Sequence, residues 1–308
     1  MRDGRVSKLV TMGEAVAELV PDGSSVVMGT CLESMIPFAA GHELIRRERR
    51  DLTLIGPISD ILFDQLIGAG CVARVEAAWV GNVSAGLGHS YRRAAEQGRP
   101  RRIEIVDHSN LSIALGLHAG ALGVPFLPTR SLLGSDIAAG SAAFEEQRDP
   151  WSDDRLLAVR AIRPDVAIVA VQRSDEEGDA HVWGNLGVTR DAVMAAERVI
   201  LLAEEIVGAD SIRSDPNRVL VPGFRVSAVV HSPGACHPSP VQGRYRRDHD
   251  SYGAYHEATR DEDGFADWLR EWVLDVPDRD AYLERLGPRW EELRDLHEAL
   301  AAPVDYGW

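Results

Sequence analysis

The segment GACHPSPVQGRYRRDHDSY, residues 234–252, brings Cys236, His237, Ser239, His249 and Ser251 together with a close run of Arg and Asp in one glycine- and proline-broken stretch. A thiol beside an imidazole is the start of a nucleophile, because a nearby imidazole lowers a thiol pKa. Neighbours on an extended chain point apart, however, and no third group is identifiable to orient the pair. His231, Cys236, His237 and His249 are also suitable donor types for zinc, but their spacing matches no familiar ligand pattern and no metal is expected. The sequence contains no G-x-G-x-x-G after a strand, no G-x-x-x-x-G-K-[ST], no G-x-S-x-G, no H-E-x-x-H and no paired C-x-x-C. Nucleotide phosphate cradles, serine-hydrolase elbows and zinc ribbons therefore lose their usual warrant.

Stronger candidates lie where strands stop, since ligands of open α/β sheets bind in the crevice outside the C-terminal strand ends. GTCLESMIP (29–37), GNVSAGLG (81–88) and DHSN (107–110) each begin at the end of a strand-like run, and LLGSDIAAGS (132–141) is a fourth small-residue loop. Glycine lets a ligand approach the backbone closely, and short polar side chains can hydrogen-bond it. Ser109 and Asn110 are equally suited to capping the helix that follows them.

The elements that must position these loops alternate along the chain. Residues 24–29, 51–56, 72–81, 102–107, 124–129, 165–171, 198–207 and 226–231 are apolar and β-branched, as strands covered on both faces are. Thr11 and Glu14 form a capping box, helical rhythm recurs at 35–50 and 60–69, SYRRAAEQG ends on Gly98, and the stretch from Ser109 stops at Gly123. This pattern predicts an α/β fold with an open, mostly parallel sheet flanked by helices. The whole chain, 1–308, reads as one domain, with about 235–308 forming an irregular loop and then helices packed on the sheet. Phe265, Trp268, Leu269, Trp272 and Val273 fall on one helical face, as do Trp290, Leu293, Leu296 and Leu300. PWSDD at 150–154 is the one mid-chain break resembling a linker.

A formal charge of −15 argues against polyanion partners, because phosphate neutralisation needs clustered Lys and Arg. The basic runs RRERR (46–50) and RPRR (99–102) sit at expected helix ends, where they complement the dipole or face solvent. No nucleic-acid role is expected. Three cysteines, Cys31, Cys71 and Cys236, are too few and odd in number for a disulfide framework, which points to a reducing compartment. The N-terminus lacks an apolar signal-like region and no run of roughly 18 apolar residues occurs, so a cytoplasmic protein with no membrane role is expected.

MGTCLESMIPFAAGHELIRR…DLTLIG, VGNVSAGLGHSYRRAAEQG, IEIVDHSNLSIALGLHAGALGVPFLP, DVAIVAVQRSDEEGDAHVWGN, AAERVILLAEEIV and GACHPSPVQGRYRRDHDSY, in this order, resemble the A (alpha) subunits of family I coenzyme A transferases, nearest to the glutaconate type. The resemblance covers about residues 10–285. It implies a sheet fold shared with phosphosugar isomerases, and a B-subunit partner, often in an A2B2 assembly, with the active site at the A/B interface. It also implies a CoA thioester as substrate rather than a resident cofactor, and a nucleophilic glutamate on the B subunit, so that this chain acts only with its partner. Matched by motif position, the substrate-binding candidates are Glu33, Ser34, Asn82, Ser109, Asn110, Gly134 and Ser135, with Glu104 and Asp107 beside them. Many A subunits carry a basic residue just before the proline of the first loop. Met35 and Ile36 stand there instead, which removes a carboxylate-recognising cation from that loop and favours a less polar acyl chain.

The chain also resembles steroid-ring-opening CoA-thioester hydrolases, whose A subunit carries the acidic catalytic residue. On that alternative Glu104 or Asp107 would be a general base activating water; surface exposure or helix capping is the competing role for each. A sugar-phosphate-binding module on the same fold is a third alternative, disfavoured by matches that extend into the C-terminal third.

Overall fold

Within residues 6–296, which the computed structural model describes, seven parallel strands form the central sheet. They are β1 Ser25–Val27, β2 Leu52–Ile58, β3 Val72–Trp79, β4 Glu104–Asp107, β5 Val166–Val171, β6 Arg198–Ala203 and β7 Ala228–His231. Their spatial order is β7-β6-β5-β1-β2-β3-β4. The chain thus winds outward from β1 to β4, then returns and winds the other way from β5, so the order reverses between β1 and β5. Such a reversal splays the two connecting loops apart and leaves a crevice at the C-terminal ends of those strands. All six residues of β5 are buried, as its unbroken apolar run requires when helices cover both sheet faces.

The helix signals are realised locally. The Thr11 hydroxyl accepts from the Glu14 N–H at 3.2 Å while the Glu14 carboxylate accepts from the Thr11 N–H at 2.8 Å, starting helix Met12–Leu19. Ser109 accepts from the Ser112 N–H at 3.0 Å and starts helix Asn110–Leu122, which ends on Gly123. Phe265 and Val273 are buried, and Trp268 meets the Tyr255 ring edge-on at 4.7 Å. Leu293 is buried and Trp290 packs on Tyr245 at 4.9 Å, whereas Leu300 lies outside the described residues. The first stripe therefore packs inward, and so do Trp290 and Leu293 of the second, but Leu296 lies past the helix end at Arg294 and is exposed. No described helix is long and apolar enough to cross a membrane.

The strand expected at 124–129 is present as Phe126–Thr129, but it does not join the central sheet. It pairs antiparallel with Arg155–Arg160, which pairs in turn with Phe144–Arg148. These two partner strands read FEEQR and RLLAVR, too charged to signal a covered strand, and they bury only a small core of Phe144, Leu157 and Val159. PWSDD is the turn between them, not a linker, with Trp151 92% exposed at its tip.

Candidate active site

Loop 29–37 leaves β1 at the point of reversal. Gly29 has φ +66°, and a Cβ there would fall 2.4 Å from Ser59 Oγ, so glycine lets this loop lie against the turn after β2. On its other side the loop meets the VWGN strap. Gly187, at φ +48°, leaves no room for a Cβ beside the Thr30 carbonyl, and Asn185 donates to the Cys31 carbonyl at 3.2 Å. The strap is held by Gln172, the buried residue ending β5, which donates to the Trp183 carbonyl at 2.9 Å and accepts from its N–H at 3.2 Å. Thr30 and Thr189 share a hydrogen bond of 2.7 Å beneath.

Segment 234–252 locks the same loop from above. Ser239 Oγ donates to the Glu33 carbonyl at 2.8 Å and accepts from the Ile36 N–H at 3.3 Å, while the Met35 N–H reaches the Pro240 carbonyl at 2.9 Å. Met35 adopts φ +55°, a conformation that these bonds must hold in place. Cys236 is fully buried and burial pushes its thiol well up, the opposite of what a nucleophile needs. His237 is buried and neutral: its Nε2 donates to Asp248 at 3.1 Å and its Nδ1 accepts from the Tyr282 hydroxyl at 3.0 Å. Burial brings the imidazole down to about 4, only partly opposed by the bond to Asp248. Burial alone would raise Asp248, but the bonds it accepts from His237, Arg289 and Ser251 outweigh that and hold it well below the usual carboxylate range. The segment is thus scaffold in its first half. No group of three or more His, Cys, Asp or Glu placed to hold a metal occurs among the described residues.

Its second half sets Arg247 against the loops that follow β2 and β3. Arg247 Nη2 donates to Asp60 Oδ2 at 2.7 Å and to Ser84 Oγ at 3.3 Å, and the guanidinium lies 3.7 Å from the centre of the Tyr252 ring. Asp60, the residue between β2 and helix Ile61–Gly68, is fully buried, has φ +48° and ψ −141°, and also accepts from the Val83 N–H at 3.0 Å. Burial raises the Asp60 carboxyl, and the Arg247 charge opposes that rise. Glu33, half exposed, approaches Arg247 Nη1 at 3.9 Å.

The structure brings only some of the sequence candidates to this cluster. Glu33 is in it, and Ser34 lies buried beside it with its hydroxyl on the Cys31 carbonyl at 3.2 Å. Asn82 donates to the Tyr252 carbonyl at 2.7 Å and accepts from the Ser84 N–H at 3.0 Å, fixing the loop that carries Val83 and Ser84. Ser109 serves as an N-cap, and Asn110 is exposed in the first turn after it. Glu104 starts β4, is 63% exposed and pairs with Arg74 at 2.9 Å; Asp107 ends β4 and is exposed. Three positions apart on a strand, these two acids face opposite sides of the sheet. Gly134 and Ser135 occupy the loop of the antiparallel side sheet, where Ser135 Oγ closes a turn onto the Leu132 carbonyl at 2.8 Å. Asp60, Gln172 and Arg247 were not candidates from the sequence. A polar residue ending a wholly apolar strand, as in AVQ, was the available signal for Gln172.

With this geometry in view, likeness to known proteins becomes specific. Residues 9–232 match the coenzyme A transferase family. The chain belongs to that family. It is 37% identical over 273 residues to the A subunit of the 3-oxoadipate CoA-transferase of Pseudomonas knackmussii, covering 89% of this chain and 96% of the relative. The A subunit of the glutaconate CoA-transferase of Acidaminococcus fermentans is 31% identical, with 92% of each chain covered. The crystal structure of that glutaconate enzyme superposes with a TM-score of 0.90 at 29% identity, over 97% of this chain and 99% of the other. A cholesterol ring-cleaving hydrolase subunit of Mycobacterium tuberculosis is 28% identical, covering 86% and 93%. The fold expected from strand and helix alternation is the fold observed, and its C-terminal helices belong to the matched structure.

Proposed function

We propose that this chain is the A subunit of a two-component CoA-transferase, working with a B-type subunit that carries the nucleophilic glutamate. The B-subunit carboxylate attacks the acyl-CoA carbonyl, the C–S bond breaks and CoA thiolate leaves an acyl-glutamyl anhydride. CoA then attacks the glutamyl carbonyl, releasing the first acid and forming a glutamyl thioester. The second acid's carboxylate displaces CoA from it, and returning CoA takes the new acyl group and frees the glutamate. Both partners meet at the C-terminal strand ends, and A2B2 is the assembly we infer. CoA is a substrate here and no resident cofactor is required.

What supports a nucleophile on the partner is the state of the acids that the sequence singled out and of the two buried acids, Asp60 and Asp64, near loop 81–88. Asp60 is sealed under Arg247, and Asp64 is sealed by the Tyr91 N–H at 2.7 Å and the Tyr255 hydroxyl at 2.6 Å. Glu33, Glu104 and Asp107 face solvent. None of these five acids combines access with enclosure, which an acyl-transfer nucleophile needs if water is to be kept from the anhydride.

The likeness to the ring-cleaving hydrolase subunit keeps hydrolysis as the second reading, with Glu104 or Asp107 as base. Glu104→Gln and Asp107→Asn in the reconstituted A/B complex separate the two. Transfer predicts acyl exchange within about threefold of the parent for both variants. A general base on this chain predicts a fall of about 10²–10⁴-fold in thioester turnover for one of them.

A further inference from the structure

Arg247 is nine-tenths buried, yet its Nη1 makes no hydrogen bond. Its Nη2 bonds Asp60 and Ser84, and the flat face lies on Tyr252. The nearest anion to Nη1 is the Glu33 carboxylate at 3.9 Å, beyond hydrogen-bond reach, on a side chain 52% exposed. A buried charged N–H left without an acceptor is costly, and an exposed ion pair at this distance recovers little of that cost. The arrangement is a weak contact over a strong, preorganised donor, between Glu33 of loop 29–37 and Ser84 of loop 81–88. The unpartnered Nη1 suits a carboxylate or phosphate oxygen brought within hydrogen-bond reach better than it suits Glu33 as placed.

We propose that Arg247 binds an oxyanion remote from the reacting carbonyl of the substrate, and that Glu33 is an internal carboxylate occupying this position until substrate displaces it. Exchange of one anion for another leaves the charge of the Asp60–Arg247 cluster unchanged, so binding buries no uncompensated charge. A dicarboxylic acyl group supplies such an oxyanion at its far end; a CoA phosphate is the other source. This deepens, and for its kinetic arm rests on, the transferase reading, and it turns the expectation of a less polar acyl chain around.

The test uses the A/B complex with thioesters matched in length, glutaryl-CoA against pentanoyl-CoA, and equilibrium binding of free glutarate against pentanoate. Arg247→Lys retains a cation for Asp60 but loses the second nitrogen, Nη1, and Glu33→Gln removes the competing carboxylate without touching the buried pair. The parent is expected to favour the diacid. Arg247→Lys should raise the KM for glutaryl-CoA about 10-fold or more beyond any change it causes with pentanoyl-CoA, and Glu33→Gln should lower the KM for glutaryl-CoA several-fold. An equal rise in KM for both thioesters, together with weaker binding of free CoA, assigns the oxyanion to a CoA phosphate. A fall in kcat with no change in any KM, or affinities for glutarate and for free CoA that neither substitution moves, overturns the proposal. Absence of exchange with every thioester counts against the transferase reading alone, because glutarate binding still reports on Arg247.

Discussion

Asp60→Ala should lower the free energy of unfolding by about 3–5 kcal/mol, the usual cost of breaking a buried ion pair by removing one member. Two losses add in the same direction. Arg247 keeps its charge in a site that is nine-tenths buried, and the Val83 N–H loses its acceptor. The double variant Asp60→Ala, Arg247→Met removes both charges and should recover most of the loss, since an apolar pair of similar volume is often neutral or better than a buried ion pair. Urea midpoints of the parent and the two variants decide it. A single variant within about 1 kcal/mol of the parent would mean that the pair does not constrain the crevice as its geometry requires.

Acidification should weaken the fold through His237 before ordinary carboxylates titrate. The imidazole titrates near 4 in the fold, against about 6.5 when unfolded. A depressed folded value means that its contribution is complete above about 6.5 and is lost as pH falls toward 4, because only the unfolded chain takes up the proton in that window. The loss amounts to about 3 kcal/mol for a group this deeply buried. Asp248, also held low, adds a loss of the same sign at still lower pH. His237→Gln keeps a donor for Asp248 but cannot titrate. Its stability between pH 7 and 4 should therefore fall less than the parent's by about that amount, and parallel curves would refute the assignment.

How far the sequence disclosed this molecule depends on the range of the physics involved. The helix ends were legible because Thr11 with Glu14, Ser109, Gly98 and Gly123 act within one turn of themselves. The parallel strands were legible because burial on both faces leaves an apolar run such as VAIVAV. Phe126–Thr129 looked like another of these, and nothing local distinguishes a central strand from one whose partners are the charge-rich FEEQR and RLLAVR. The crevice loops 29–37 and 81–88 were visible from glycine at strand ends. The Asp60–Arg247 pair was not, because it joins residues 187 positions apart and each alone reads as surface charge. His237 and Cys236 drew attention by type, yet only burial reveals that they brace a loop.

The measurement closest to the central claim is mass spectrometry of the B-type partner after the reconstituted A/B complex meets an acyl-CoA panel, with borohydride or hydroxylamine to trap the thioester. The account predicts a mass change on one partner glutamate, seen only when both chains are present and only with thioesters that the complex turns over. An unmodified partner, alongside thioester cleavage that consumes water and disappears with Glu104→Gln or Asp107→Asn, would contradict it and place the chemistry on this chain.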